Sequence, residues 1–298
     1  MQRAVLFDLL HRAALGAGAV LGASTRITGA EQTGEGVCLE AENGTVGSFD
    51  IVLDCLVSRS VLCPQPAAPL RYGALWALLD WPTDAGFDET ALAQRYHAAS
   101  RMAGVLPVGR AEPGAGLKAT FFWSLRGPDH ADWRDAALER WKTQVLELWP
   151  ECAPLLDQIS DHEQLAFARY THRTLGRPVS PRIAHLGDSY RATSPQLGQG
   201  ANMALLDAMA LAVAFRSAPD PLAALERYAA LRRWHVRLYQ GASWLLTPVY
   251  QSDSRVLPFL RDRAMGPLAR LWPISTLLAA LVSGRVGRPL AGLGLEWP

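Results

Sequence analysis

The run "HLGDSYRATSPQLGQGANMALLDAMALA", His185 to Ala212, concentrates residue types that handle a ligand. Ile183 to Leu186 is apolar enough to predict a strand, and Gly187-Asp188 ends it. Asp188 then stands at the carboxyl end of that strand, where open α/β sheets make their ligand contacts. A short carboxylate there accepts hydrogen bonds from ribose- or ribitol-like hydroxyls and has little side-chain entropy to lose. An Asx turn is the plainer reading of the dipeptide alone. Pro195 fixes one φ angle, while Gly198 and Gly200 let backbone approach a ligand with no Cβ in the way. Ala201, Ala204, Ala208 and Ala212 predict a closely packed helix whose free N–H groups and positive dipole end face the loop. A ring carbonyl, or a ring that becomes anionic on reduction, suits that end.

The elements around this run sort into three segments. Residues 1–65 open with a helical apolar spacing from Arg3 to about Leu15 and continue through β-rich runs to a buried strand, Ile51 to Leu53. The proline-rich "CPQPAAP" closes that segment. Residues 66–178 carry the strand-like "RYGALWALLDWP", "RMAGVLPVGR", "LKATFFWSLR" and "QLAFARYTHR", with helical runs "DHADWRDAALERWKTQVLELW" and "CAPLLDQI" between the last two. Strands with helices to one side predict an α+β layer rather than a doubly wound sheet. Residues 179–298 hold the opening run and a series of helices, the longest predicted over "DPLAALERYAALRRWHVRLYQGASWLL". Trp76, Trp81 and Trp123 fall at strand positions where core packing is the default, and His172 and His185 read as structural.

The 298 residues carry 49% hydrophobic and 19% charged residues with net charge +1, which excludes disorder and any general pull toward nucleic acid. Cys38, Cys55, Cys63 and Cys152 lack metal or redox spacing, so no metal site is predicted and a reducing, cytoplasmic setting is expected. The N-terminal apolar run is interrupted by Asp8, His11 and Arg12, unlike a signal peptide. "LWPISTLLAALVSG" is shorter than the roughly 18 residues of a membrane span and leaves at most peripheral membrane contact.

The run "GDSYRATSPQLGQGANMALLDAMALA" resembles the second FAD-binding motif of the single-component FAD-dependent aromatic monooxygenases, the family of p-hydroxybenzoate hydroxylase and the ubiquinone-biosynthesis hydroxylases. The resemblance implies a mixed α+β and α/β fold. A partial FAD-binding domain of the glutathione-reductase-like type would join a β-rich substrate domain and C-terminal helices. It also implies that Gly187 and Asp188 meet the ribityl chain, and that Pro195, Gly198, Gln199 and Gly200 line the flavin ring. Asn202 and Asp207 match the pattern as well. "QRAVLFDLLHRAA" resembles the family's Arg-x-x-Leu helix, which would set Arg3 near the cofactor. The implied activity is hydroxylation of an aromatic or polyketide-like small molecule, with FAD as cofactor and NADPH or NADH as transient reductant.

Three departures qualify that expectation. The family's opening strand, G-x-G-x-x-G turn and helix have no counterpart ahead of Arg3, which predicts an N-terminally shortened member or a partner chain that supplies the unit. "GAGAVLG", Gly16 to Gly22, follows a helix and precedes a strand, the reverse of a nucleotide fingerprint, and is predicted as a turn. In "FDIVLDCLVSRS", Leu56 and Val57 stand where the family's Asp-Gly motif has small or acidic residues, and a valine crowds any position needing positive φ. Arg191 replaces a frequent histidine and reads as tolerated variation that brings positive charge near the flavin. Enzyme status therefore stays open between a flavin monooxygenase and a non-catalytic remnant or small-molecule binder that has lost FAD. A related halogenase would carry Trp-x-Trp-x-Ile-Pro, which the sequence lacks.

Overall fold

A computed structural model describes residues 3–112 and 114–295, and for Arg3 the backbone only. Helix α1 (Arg3–Gly16) is followed by strands β1 (Ile27–Gln32), β2 (Val37–Ala41), β3 (Gly44–Phe49) and β4 (Val52–Asp54). Next come β5 (Ala68–Asp80), β6 (Ala93–His97), β7 (Arg101–Gly109) and β8 (Lys118–Arg126), then α2 (His130–Asp135), α3 (Leu138–Leu148) and α4 (Ala153–Leu156). Strands β9 (Ala166–Thr174), β10 (Ile183–His185) and β11 (Arg191–Ala192) lead into α5 (Gly200–Ser217) and α6 (Pro221–Tyr250). Helices α7 (Val256–Leu260), α8 (Gly266–Ala269) and α9 (Ile274–Val282) close the chain.

Two units interleave along the sequence. The first takes 71–169 together with 3–23 and 250–258; the second takes 24–70, 170–249 and 259–295. Residues 24–70 of the first expected segment share a unit with the last, and β4 pairs with β10 within it. The predicted helix at Arg3 forms, but Phe7, Leu9, Leu10 and Leu15 stay exposed along it.

The first unit is an antiparallel sheet covered by helices on one face, as the strand and helix runs predict. Trp76 of β5 lies opposite Phe122 of β8, Phe122 opposite Gly104 of β7, and Gly104 opposite Gln94 of β6. Because side chains alternate along a strand, the odd-numbered Leu75, Leu79, Val105, Phe121 and Trp123 share the other face. They pack against Trp141 and Val145 of α3 and Leu155 and Leu156 of α4. The expected single helix from Asp129 to Trp149 is two, since Ala136 adopts an extended conformation between α2 and α3. Strand β6 was not expected; its five residues are mostly exposed and carry no apolar alternation.

In the second unit β1, β2 and β3 form an antiparallel meander. The two-stranded pair β4–β10 is parallel. Helices α5 and α6 pack through Leu206, Ala210, Ala214, Leu225, Tyr228 and Val236 into one core with Ala184 of β10 and Leu186 just after it. The "GAGAVLG" stretch leaves α1 and reaches β1 without helix or strand, with Gly18 at φ +88°. No described helix is long and apolar enough to cross a membrane; 256–269 and 274–282 meet the criterion only as a pair bent by 103°.

Candidate functional site

Parallel pairing brings Asp54 and His185 side by side at the carboxyl ends of β4 and β10. His185 Nδ1 donates to Asp54 Oδ2 at 2.7 Å, Ser60 Oγ donates to the same oxygen at 2.7 Å, and Ser189 Oγ donates to it as well. Leu56 N–H satisfies Oδ1 at 3.0 Å. Burial alone would raise the Asp54 pKa, but the hydrogen bonds from His185, Ser189, Ser60 and Leu56 together hold it down at about 2. The carboxylate is ionised, and it fixes the start of the turn that follows β10.

That turn carries the Gly-Asp pair. Gly187 sits at φ +57°, and Asp188 is exposed at the strand end where the sequence placed it. Arg173 is buried beneath it, donating to the carbonyls of Asp188 (3.1 Å), Ser189 (2.8 Å) and Gln65 (2.8 Å). Gly187 N–H donates to Asp207 Oδ2 of α5 at 2.9 Å. Asp207 also accepts from Arg191 Nη1 at 2.5 Å and Arg232 Nε at 2.8 Å, all three side chains being buried. Arg191 is thus spent on an internal ion network, where the sequence suggested charge offered to a flavin. Arg232 Nη1 donates to His235 Nδ1 at 3.1 Å. Burial, and then the Arg232 and Arg191 guanidinium groups, push His235 down to about 4.

The second half of the motif is a loop into α5. Thr193 bonds Ser243 and Ser194 bonds Thr247, both at 2.5 Å, fixing the loop against α6. Pro195 and the left-handed Gly198 (φ +63°) shape the last turn before the helix. A Cβ added at Gly198 or Gly200 would meet nothing within 4 Å, so open space lies against this backbone. No side chain caps α5 at Gln199, which leaves the first-turn N–H groups for another acceptor. The side chains of Gln199 and Asn202 bond each other at 2.7 Å, and Gln199 Nε2 donates to Val282 O at 2.5 Å. Those two therefore brace the loop against the end of α9. A flavin ring and its ribityl chain fit these residues: exposed Asp188, open glycine backbone, and an uncapped helix N-terminus of 18 residues. The side chain of Arg3 lies outside the described residues. Also among those residues, no strand–G-x-G-x-x-G–helix unit occurs and no group of side chains has the makings of a metal site.

Val57 is at φ +51°, a left-handed conformation that glycine takes freely and a β-branched residue does not.

In the first unit, Trp81 and Trp123 are core residues as expected, but Trp76 faces the side away from the helices. Its ring stacks on Phe122 at 4.7 Å, its indole N–H has no acceptor among the described residues, and Gly104 makes room for the Phe122 ring. Spacing alone could not distinguish this half-buried tryptophan from a core one. A separate cleft of about 450 Å³ lies on the helix side, lined by Tyr72, Arg126, Trp133, Trp141 and Asp253 among others. Asp253 there is engaged by Tyr72 at 2.5 Å and Arg71 at 2.6 Å.

The fold is that of the FAD-dependent monooxygenases. Klebsiella pneumoniae HpxO complexed with FAD and uric acid matches with a TM-score of 0.72 at 22% identity, covering 94% of this chain and 72% of that one. Pseudomonas aeruginosa PqsL in complex with 2-aminobenzoylacetate matches with a TM-score of 0.66 at 19% identity, over 86% of this chain and 71% of that one. The Diels-Alderase PyrE3 shares the fold too, with a TM-score of 0.69 at 20% identity, over 94% of this chain and 59% of that one. By sequence, the chain is 28% identical over 226 residues to the FAD-dependent urate hydroxylase of Klebsiella pneumoniae, 71% of this chain and 55% of that protein. It is 31% identical over 126 residues to a 3-(3-hydroxy-phenyl)propionate/3-hydroxycinnamic acid hydroxylase of Burkholderia cenocepacia, 41% of this chain and 23% of that protein. The chain thus spans about half the length of the first relative and about a quarter of the second. No family model matches.

Proposed function

We propose that this chain is the flavin-holding part of a monooxygenase that hydroxylates an aromatic or polyketide-like small molecule, drawing electrons from NADPH or NADH. The observation that carries the reading is the open backbone at Gly198 and Gly200 before the uncapped N-terminus of α5, with Asp188 exposed on its own turn. Asp188 accepts hydrogen bonds from the ribityl hydroxyls. The first-turn N–H groups of α5 would stabilise negative charge on a bound flavin ring. When bound, FAD supplies the electron transfer and oxygen activation that no side chain here can provide. The half-buried Trp76 ring, stacked on the buried Phe122 ring, gives an apolar wall suited to an aromatic substrate. The diphosphate end of FAD needs a strand–glycine-turn–helix unit, which in this reading comes from a further stretch of chain or from a partner polypeptide. The likeness to FAD-dependent hydroxylases supports the cofactor and the reaction class.

A second reading, a small-molecule binder without flavin chemistry, is favoured by Val57 in its unfavourable conformation and by the fold's use in a Diels-Alderase. Gel filtration of the purified protein with FAD separates the two. Co-eluting flavin colour, followed by FAD-dependent NAD(P)H oxidation, supports the monooxygenase. A folded, colourless protein supports the binder.

A further inference from the structure

The end of the second unit is unusual in what it leaves uncovered. From Asp262 to Ile274 every residue except Ala269 is exposed. Leu268, Leu271 and Trp272 lie within that stretch, with Phe259 before it and Leu277 after it, and Trp272 is 82% exposed. Soluble proteins scatter exposed apolar residues singly, and a contiguous run of them marks a surface that is covered in use.

Charge selects what covers it. Residues 259–282 contain three arginines, no lysine and one carboxylate; the buried Arg261 pairs with that carboxylate, Asp262, which leaves Arg263 and Arg270 as a net +2. Arg263 and Arg270 are exposed between the apolar side chains, and the Arg263 guanidinium lies 5.5 Å from the Phe259 ring centroid. A second copy of the chain would set this cationic segment against itself, which like charge opposes. An anionic lipid surface accepts both components. Leucine and tryptophan side chains enter the boundary between headgroups and acyl chains, and guanidinium groups meet the phosphates. Tryptophan is the side chain most suited to that boundary. Helices 256–269 and 274–282 are each too short to span a bilayer and bend by 103° at their join, a shape for lying in one leaflet.

We infer that the segment from Phe259 to Val282 docks peripherally on an anionic lipid surface. The docking does not depend on flavin binding, so the test is run on the intact chain with and without FAD. Co-sedimentation with phosphatidylcholine vesicles, with and without phosphatidylglycerol, is expected to show about tenfold stronger partition to the anionic vesicles, weakening as salt rises. Leu271→Ser with Trp272→Ser lowers that partition about tenfold or more, and Arg263→Glu with Arg270→Glu abolishes the preference for anionic lipid. Amide exchange of the unsubstituted protein gains protection on vesicles within 259–282, a readout independent of how the variants fold. Absence of vesicle binding overturns the proposal. So does binding unaffected by these substitutions, or self-association that protects the segment in its place.

Discussion

The side chain of Asp207, in the middle of α5, accepts the backbone N–H of Gly187 at 2.9 Å. One buried carboxylate thereby ties the helix that opens at the glycine loop to the turn that presents Asp188. The same carboxylate pairs with both Arg191 and Arg232, so the geometry of the candidate cofactor site and the partnering of two buried cations rest on a single residue.

Asp207→Asn leaves two buried guanidinium groups without a counter-ion and is expected to destabilise the fold by about 3–5 kcal/mol. Urea denaturation of variant and parent measures the difference. A loss below about 1 kcal/mol would mean the arginines find other partners.

Asp54 predicts a second, acid-side effect. Its folded pKa of about 2 lies below the usual carboxylate value, so its contribution is complete above about pH 4 and is lost as pH falls through 2. About 2 kcal/mol of stability is at stake. The stability difference between the parent and Asp54→Asn should shrink across that window, and a constant difference from pH 4 to 2 contradicts the assignment.

His235 works at a higher pH. Held at about 4 by burial and by the neighbouring arginines, it is neutral when folded and protonates on unfolding below its ordinary value near 6.5. Unfolding takes up a proton in that window, so stability falls by about 3 kcal/mol as pH drops from 6.5 to 4. His235→Gln keeps an acceptor for Arg232 and should flatten this slope in stability curves measured at successive pH values. An unchanged slope would place the titration elsewhere.

Much of this architecture was legible because it is periodic. The β-rich unit follows from alternating aromatic and branched residues in β5, β7, β8 and β9, and α6 from its long helical spacing. The Gly-Asp turn and the glycine loop were readable because conformations such as φ +57° at Gly187 and +63° at Gly198 demand a particular residue. What could not be read was pairing at a distance. Asp54 and His185 lie 131 positions apart and meet only because β4 and β10 run parallel; neither carries a local signal of a partner. Arg191 read as charge brought near a flavin because its counter-ion is one helix away. Strand β6 escaped because an exposed edge strand needs no apolar alternation.

Val57 offers a prediction of opposite sign. A β-branched residue at φ +51° is strained by about 1–3 kcal/mol, of which glycine's greater freedom in the unfolded chain cancels a part. Val57→Gly should therefore stabilise the protein by about 1 kcal/mol. Thermal unfolding decides it, and a destabilised variant would mean the valine side chain packs more usefully than its 61% exposure suggests.

In the proposed function FAD binds across Asp188 and the glycine loop. The most direct test is a flavin fluorescence titration of the parent, Asp188→Ala and Gly200→Val, with circular dichroism to confirm that each is folded. Saturable FAD binding is expected of the parent. Asp188→Ala, which loses hydrogen bonds to a charged acceptor, should weaken it at least about tenfold. Gly200→Val, which fills the open space before α5, should prevent it. Equal affinity for FAD in all three proteins, or none in the parent, would contradict it.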